Sequence, residues 1–102
     1  MLAEMRAEYR LALPLKLAEM ERLWQRVEAG EAPAVPFAEL NRVAHTIAGS
    51  AGTFGLTTVS VAAKALEVAL TPLRGDEGPM PAKDVDNIGS LLEALKQSAN
   101  MS

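Results

Sequence analysis

The sequence predicts an all-α fold, an antiparallel up-and-down four-helix bundle with a short additional helix at its N-terminus. Three observations carry this. Hydrophobic residues make up 49% of the chain but aromatics only 4%, with Ala and Leu dominant and β-branched residues modest, a composition that suits packed helices better than sheet. Apolar residues recur at three- and four-residue spacing in successive stretches. Breakers (Pro14, Gly30, Gly55, Pro72) separate those stretches by short connections, which favour antiparallel neighbours.

Residues 2–12 read as the short extra helix, ending near Pro14. That proline suits the first turn of the next helix, where its missing N–H costs nothing. Residues 14–29 then carry Leu15, Leu17, Met20, Leu23, Trp24 and Val27, and Gly30 is a stop signal. Residues 31–35 form a Pro- and Ala-rich connector. The next helix is expected from Pro36 or Phe37 to Thr53, broken by Gly55. Another runs from Leu56 or Thr57 to Thr71, where Pro72 disfavours continuation. Residues 74–81 are a Gly- and Pro-rich loop. The last helix covers 82–98, with Val85, Ile88, Leu91, Leu92 and Leu95 as its buried stripe. No heptad pattern extends past about two repeats, which argues against a long coiled coil.

The 102 residues are expected to form one domain, 1–102, around one core. With no cysteine, neither a disulfide framework nor a thiolate metal site can form. The net charge of −3 and the lack of a basic block argue against nucleic acid as a partner. No apolar run approaches the roughly 18 residues of a membrane span, and the N-terminus does not resemble a secretory signal, so membrane insertion is not expected and the cytoplasm is the default location.

His45 is the single histidine, opening the run His45-Thr46-Ile47-Ala48-Gly49-Ser50-Ala51-Gly52-Thr53-Phe54-Gly55. On a helical wheel Leu40, Val43, Ile47 and Phe54 cluster opposite it, with Ala51 beside them. Around it lie Ala38, Asn41, Arg42, Ala48, Gly49 and Gly52, four of the six being Ala or Gly. The ring therefore stands on a shallow floor. A glycine inside a helix costs about 1 kcal/mol relative to alanine, so Gly49 and Gly52 suggest that something must come close to the imidazole. The bland alternative is a surface histidine on a helix that packs through its glycines. A catalytic triad is disfavoured because Ser50 faces inward, and a lone histidine without a carboxylate pair is a poor metal site.

The following helix carries Thr57, Ser60, Lys64, Glu67 and Thr71 on one face, against an apolar stripe of Val59, Ala63, Leu66, Leu70 and Leu73. In an antiparallel hairpin, residues equidistant from the turn are level. The midpoint of His45 and Lys64 falls between Phe54 and Gly55, and that of His45 and Glu67 at Leu56. Both acid and lysine therefore sit within a turn of the histidine's level. A carboxylate there can accept the Nδ1–H bond, fix the tautomer and leave the Nε2 lone pair outward for attack on an electrophile. Lys64 can neutralise an incoming anion. The alternative is an ordinary solvated i,i+3 pair worth a few tenths of a kcal/mol.

The run His45–Gly55 resembles the histidine-containing phosphotransfer (HPt) domain, in particular the variant at the front of chemotaxis-type histidine kinases. That resemblance implies His45 as the residue phosphorylated on Nε2 and Gly49 as the small residue that lets a partner reach the ring. It implies Glu67 as the partner of the other ring nitrogen and Lys64 as a further polar site residue. Many members carry lysine three residues after the histidine; this chain has Ala48 there, so Lys64, Arg42 or the partner would supply the charge. The implied role is a phosphoryl relay between a histidine kinase or receiver aspartate and another response-regulator receiver domain. Ala38, Asn41, Arg42, Ala48, Gly49 and Gly52 form the implied partner face. There is no Gly-rich nucleotide loop and no carboxylate cluster for Mg²⁺, so no cofactor is expected, any Mg²⁺ belongs to the partner, and the domain is a phosphocarrier rather than an enzyme. Two rival readings stand beside it. One is a phosphorylation-silent module that binds a receiver or kinase. The other is a structural bundle in which His45 is incidental and both glycines lie in helix–helix contacts.

Overall fold

A computed structural model of the chain describes residues 2–30, 34–73 and 80–101. The described residues form four helices and nothing else regular: α1 (Leu2–Glu28), α2 (Ala34–Thr53), α3 (Thr57–Leu70) and α4 (Ala82–Met101). Each helix packs on its neighbours in the cyclic order α1–α2–α3–α4 and back to α1, the arrangement of an up-and-down bundle. The molecule is an elongated rod of 47 × 19 × 19 Å.

The expected short N-terminal helix does not exist as a separate element. Residues 2–12 and 14–29 merge into one α1 with Pro14 inside it. Proline in a helix interior removes one backbone bond and crowds the carbonyl four residues earlier, at a cost of about 3 kcal/mol. Tertiary packing overrides it here. Tyr9, Leu13, Leu17, Met20, Trp24 and Val27 are all buried and keep one helical face in phase across the proline, which itself points to solvent. Leu15, placed with the core residues by spacing alone, is instead 73% exposed, on the side of α1 away from the bundle.

The remaining elements lie close to expectation. α2 begins two residues earlier than Pro36, and Pro36 occupies the first turn, where no intrahelical donor is required. Part of the proposed connector, Ala34 and Val35, is thus helical; residues 31–33 lie outside the described residues, as do 74–79 of the expected loop. The α2–α3 turn is a Schellman motif. Gly55 takes φ +77°, its N–H donates to the Gly52 carbonyl (3.2 Å), and the Leu56 N–H donates to Ala51 (2.8 Å). The buried side chains of Ala51 and Leu56 complete the hydrophobic contact of that motif. This turn is what sets the register of α2 against α3.

The core is the expected one in outline. Leu40, Val43, Ile47 and Ala51 of α2 meet Val59, Ala63, Leu66 and Leu70 of α3 and Ile88, Leu92 and Leu95 of α4. Phe54, Leu73, Val85 and Leu91 are partly buried at its margin. Trp24 closes the α1–α4 side. A Cβ built on Gly89 would lie 3.6 Å from its indole nitrogen, an ordinary contact distance.

Candidate functional site

α2 and α3 are the most extensively packed pair of helices, and the site lies on their solvent-facing seam. His45 projects outward with its side chain 73% exposed. Its Nδ1 lies 2.5 Å from Oε2 of Glu67, whose side chain is only 13% exposed. The other carboxylate oxygen accepts a 3.1 Å hydrogen bond from Lys64 Nζ. Burial on its own would raise the Glu67 carboxyl, but the hydrogen bonds and charges of Lys64 and His45 outweigh it and hold the group below its ordinary value. Glu67 is therefore an anion at neutral pH and an acceptor only. Nδ1 must be the protonated ring nitrogen, which leaves Nε2 free to act as a nucleophile whenever the ring is neutral.

The carboxylate is held by more than its own contacts. The Asn41 amide donates to the Glu67 backbone carbonyl (3.4 Å) and to Thr71 Oγ1 (3.3 Å), and Thr71 donates to the same carbonyl (2.8 Å). On the other side of the histidine, Ser60 Oγ donates to the Ala48 carbonyl at 2.7 Å. Side chain-to-backbone bonds thus bridge α2 and α3 one turn below and one turn above His45. Sequence reasoning placed Ser60 and Thr71 on the polar row with Lys64 and Glu67 but gave neither a task. The row itself was the signal.

The residues expected around the ring fall where the wheel put them. Ala38, Arg42, Gly49 and Gly52 are exposed and Asn41 and Ala48 partly so, all along one side of α2. Arg42 is not directed at the imidazole; it pairs with Glu39 at 2.9 Å and approaches Glu19 at 3.7 Å. Lys64 is the cation that shares the acid with the ring. The two glycines separate sharply. A Cβ on Gly52 would meet Ser60 Oγ at 3.3 Å, so Gly52 lets α3 approach α2 closely. A Cβ on Gly49 would meet nothing within 4 Å, so no contact within the molecule accounts for a glycine there. Ser50 turns from the site toward α1. Its Oγ is 2.7 Å from the Thr46 carbonyl and 2.9 Å from the Tyr9 hydroxyl, and the Tyr9 and Phe54 rings pack at a tilt of 34° with centroids 5.1 Å apart. Among the described residues no group of three or more His, Cys, Asp or Glu side chains could hold a metal ion. No described helix is long and apolar enough to cross a membrane.

Taken together, four packed helices present one accessible imidazole whose Nδ1 is bonded by an acid on the next helix. The chain belongs to the Hpt domain family, whose model matches residues 4–98. Members of that family carry a phosphoryl group on histidine within phosphorelays, interact with two-component kinases and receivers, and are phosphocarriers rather than catalytic enzymes. Comparison with curated proteins and with solved structures gave no match.

Proposed function

We propose that His45 Nε2 accepts a phosphoryl group from a histidine kinase or a receiver aspartyl phosphate and passes it to the aspartate of another receiver, in the manner of the chemotaxis-kinase variant of the family. The observation that carries this is the Nδ1–Glu67 contact at a ring 73% exposed. In the forward step the Nε2 lone pair forms the N–P bond in line as the donor's P–O bond breaks, the electrons leaving with the donor oxygen. The Nδ1 proton stays between ring and Glu67, whose charge offsets the cationic imidazole. In the return step an aspartate oxygen attacks phosphorus and the N–P electrons go back to Nε2. Such a transfer depends on positioning and charge compensation.

Lys64, three residues from Glu67 and already bonded to it, neutralises the transferred group from the α3 side. Ala38, Asn41, Arg42, Ala48, Gly49 and Gly52 form the partner face. Exposed Val61 and Val68, one turn before and one turn after Lys64, extend it with apolar surface on α3. Gly49 fits this reading because only an external body can make use of its missing side chain.

The test is incubation with a phosphorylated receiver or cognate kinase, followed by detection of acid-labile phosphate. Label is expected on the wild type and absent from His45→Gln. No label on the wild type under any donor, or equal label on the variant, rejects the proposal. Ala48, in place of a lysine, favours the second reading, a phosphorylation-silent binder. Receiver binding that survives His45→Ala, with no phosphoryl transfer from any donor, would select that reading.

A further inference from the structure

α1, which supplies neither the imidazole nor the acid and lysine beside it, has its own unpartnered face. Leu11 and Leu15 are 77% and 73% exposed, the most exposed large hydrophobic side chains among the described residues. They lie on the side of α1 opposite its buried stripe, and their neighbours on that side, Ala7, Pro14 and Ala18, are also exposed. Ala7, Leu11, Pro14 and Ala18 follow a 4-3-4 spacing, the seam of two heptads. A single exposed leucine needs no explanation, but an ordered apolar strip on a helix already packed on its other side does.

The charges beside this strip indicate what covers it. Glu8, Leu15 and Arg22 are each seven residues apart, so they form one flank of the seam, and Glu8 and Arg22 are both exposed. When two identical helices pack antiparallel, residues on the same flank face each other across the two-fold axis. With Leu15 on that axis, Glu8 of one copy is level with Arg22 of the other, and the reverse, because both lie seven residues from the centre. Leu11, Pro14, Leu15 and Ala18 are centred within half a residue of the same point, and Ala7 extends the strip past it toward the N-terminus. The Glu8 and Arg22 charges are complementary only in an antiparallel arrangement. A parallel pair would set Glu8 against Glu8 and Arg22 against Arg22. A lipid surface would select for basic excess, which a flank carrying Glu8, Glu19 and Arg22 lacks.

We propose that the outer face of α1 is a self-association surface, on which a second copy of this chain packs antiparallel with Leu15 at the two-fold axis. The strip from Glu8 to Arg22 is about 21 Å long at 1.5 Å per residue and one helix wide. That is well below the roughly 800 Å² per partner of a stable complex, so the dimer is weak and reversible. Because His45 lies on the α2–α3 seam, pairing through the back of α1 leaves both imidazoles accessible.

The chain has no cysteine, so single-cysteine variants report the geometry directly. Under mild oxidation Leu15→Cys is expected to form disulfide-linked dimers about tenfold faster or more than Leu11→Cys or the exposed α4 control Ser90→Cys. Two residues at position 11 would be about 12 Å apart along the axis, beyond the roughly 7 Å Cα limit of a disulfide. In the Leu15→Cys background, Glu8→Arg or Arg22→Glu alone should slow trapping several-fold, and the two together should restore it. Circular dichroism verifies that each variant is folded. Equal rates at 15, 11 and 90, fast trapping at both 11 and 15, or failure of the double charge exchange to restore trapping would each overturn the proposal.

Discussion

Replacing Glu67 by glutamine separates what the acid does for the ring from what it does for the fold. The amide keeps the size of the side chain and one acceptor oxygen, so the Nδ1 contact survives as a neutral hydrogen bond while the charge is lost. A hydrogen bond to a charged group contributes about 1.5–3 kcal/mol, and the neutral version about 1 kcal/mol. The ring is 73% exposed, so solvent screening keeps the difference toward the lower end. A loss of about 0.5–1 kcal/mol in the transition state, where the imidazole becomes cationic, is a roughly two- to fivefold slower transfer, and about 2 kcal/mol, roughly 30-fold, is the upper bound. The assay is single-turnover phosphoryl acceptance by His45 from a phosphorylated receiver, combined with nitrogen NMR of the ring. In the wild type the proton should reside on Nδ1; in Glu67→Gln the two tautomers should mix. Because the amide can also donate, part of the population should present Nδ1 as acceptor and Nε2 as the protonated, unreactive nitrogen. A variant that transfers at the wild-type rate with an unchanged tautomer ratio would falsify the claim that the acid steers the nucleophile.

Glu67 also yields a pH dependence. Its carboxyl is held below its ordinary value of 4.5, so its contribution to folding is complete above that pH and disappears as the pH falls through the depressed value. The stability difference between wild type and Glu67→Gln, from urea melts, is expected to be flat above pH 4.5 and to close below it; a difference that grew on acidification would reverse the sign of the argument. Gly49→Ala should stabilise the isolated domain by about 0.5–1 kcal/mol, since its Cβ meets nothing, while weakening receiver binding. Gly52→Ala should gain less or lose stability, because its Cβ presses on the Ser60 hydroxyl, and Ser60→Ala should remove that difference in a double-mutant cycle. Pro14→Ala should raise stability by up to about 3 kcal/mol if α1 is continuous, and by nothing if Pro14 opened a second helix.

Periodicity located α2, α3 and α4 to within two or three residues, because each has one buried stripe and breakers at its ends. It failed at Pro14. A proline after a helical stretch reads as a boundary on local grounds, and the local cost is real. What carries α1 through it is the phase of Tyr9, Leu13, Leu17 and Met20, all buried along one line. The local reading took Leu15 into the stripe and so lost that phase. The exposed Leu11 and Leu15 obscured it, since two apolar faces on one helix blur the moment from which the core side is inferred. The residues that misled the reading are those assigned above to a second surface.

At the site, hairpin geometry was enough to bring Glu67 and Lys64 to His45, because a three-residue turn leaves little freedom in register. The glycines were not separable in the same way. Gly49 and Gly52 share a helix, a face and a composition, and both suggested close approach by something external. The structure divides them by what stands opposite. Ser60 fills the space over Gly52 and ties α3 to the Ala48 carbonyl, so this glycine sets the spacing between the helices that hold acid and imidazole together. Gly49 faces open solvent one turn from His45. A helix that gives up about 1 kcal/mol at each position does so once for internal alignment and once for a visitor. The two costs therefore respond to different perturbations: alanine at position 52 should disturb the tautomer of His45 in the isolated domain, whereas alanine at position 49 should leave it unchanged and alter only the encounter with a partner.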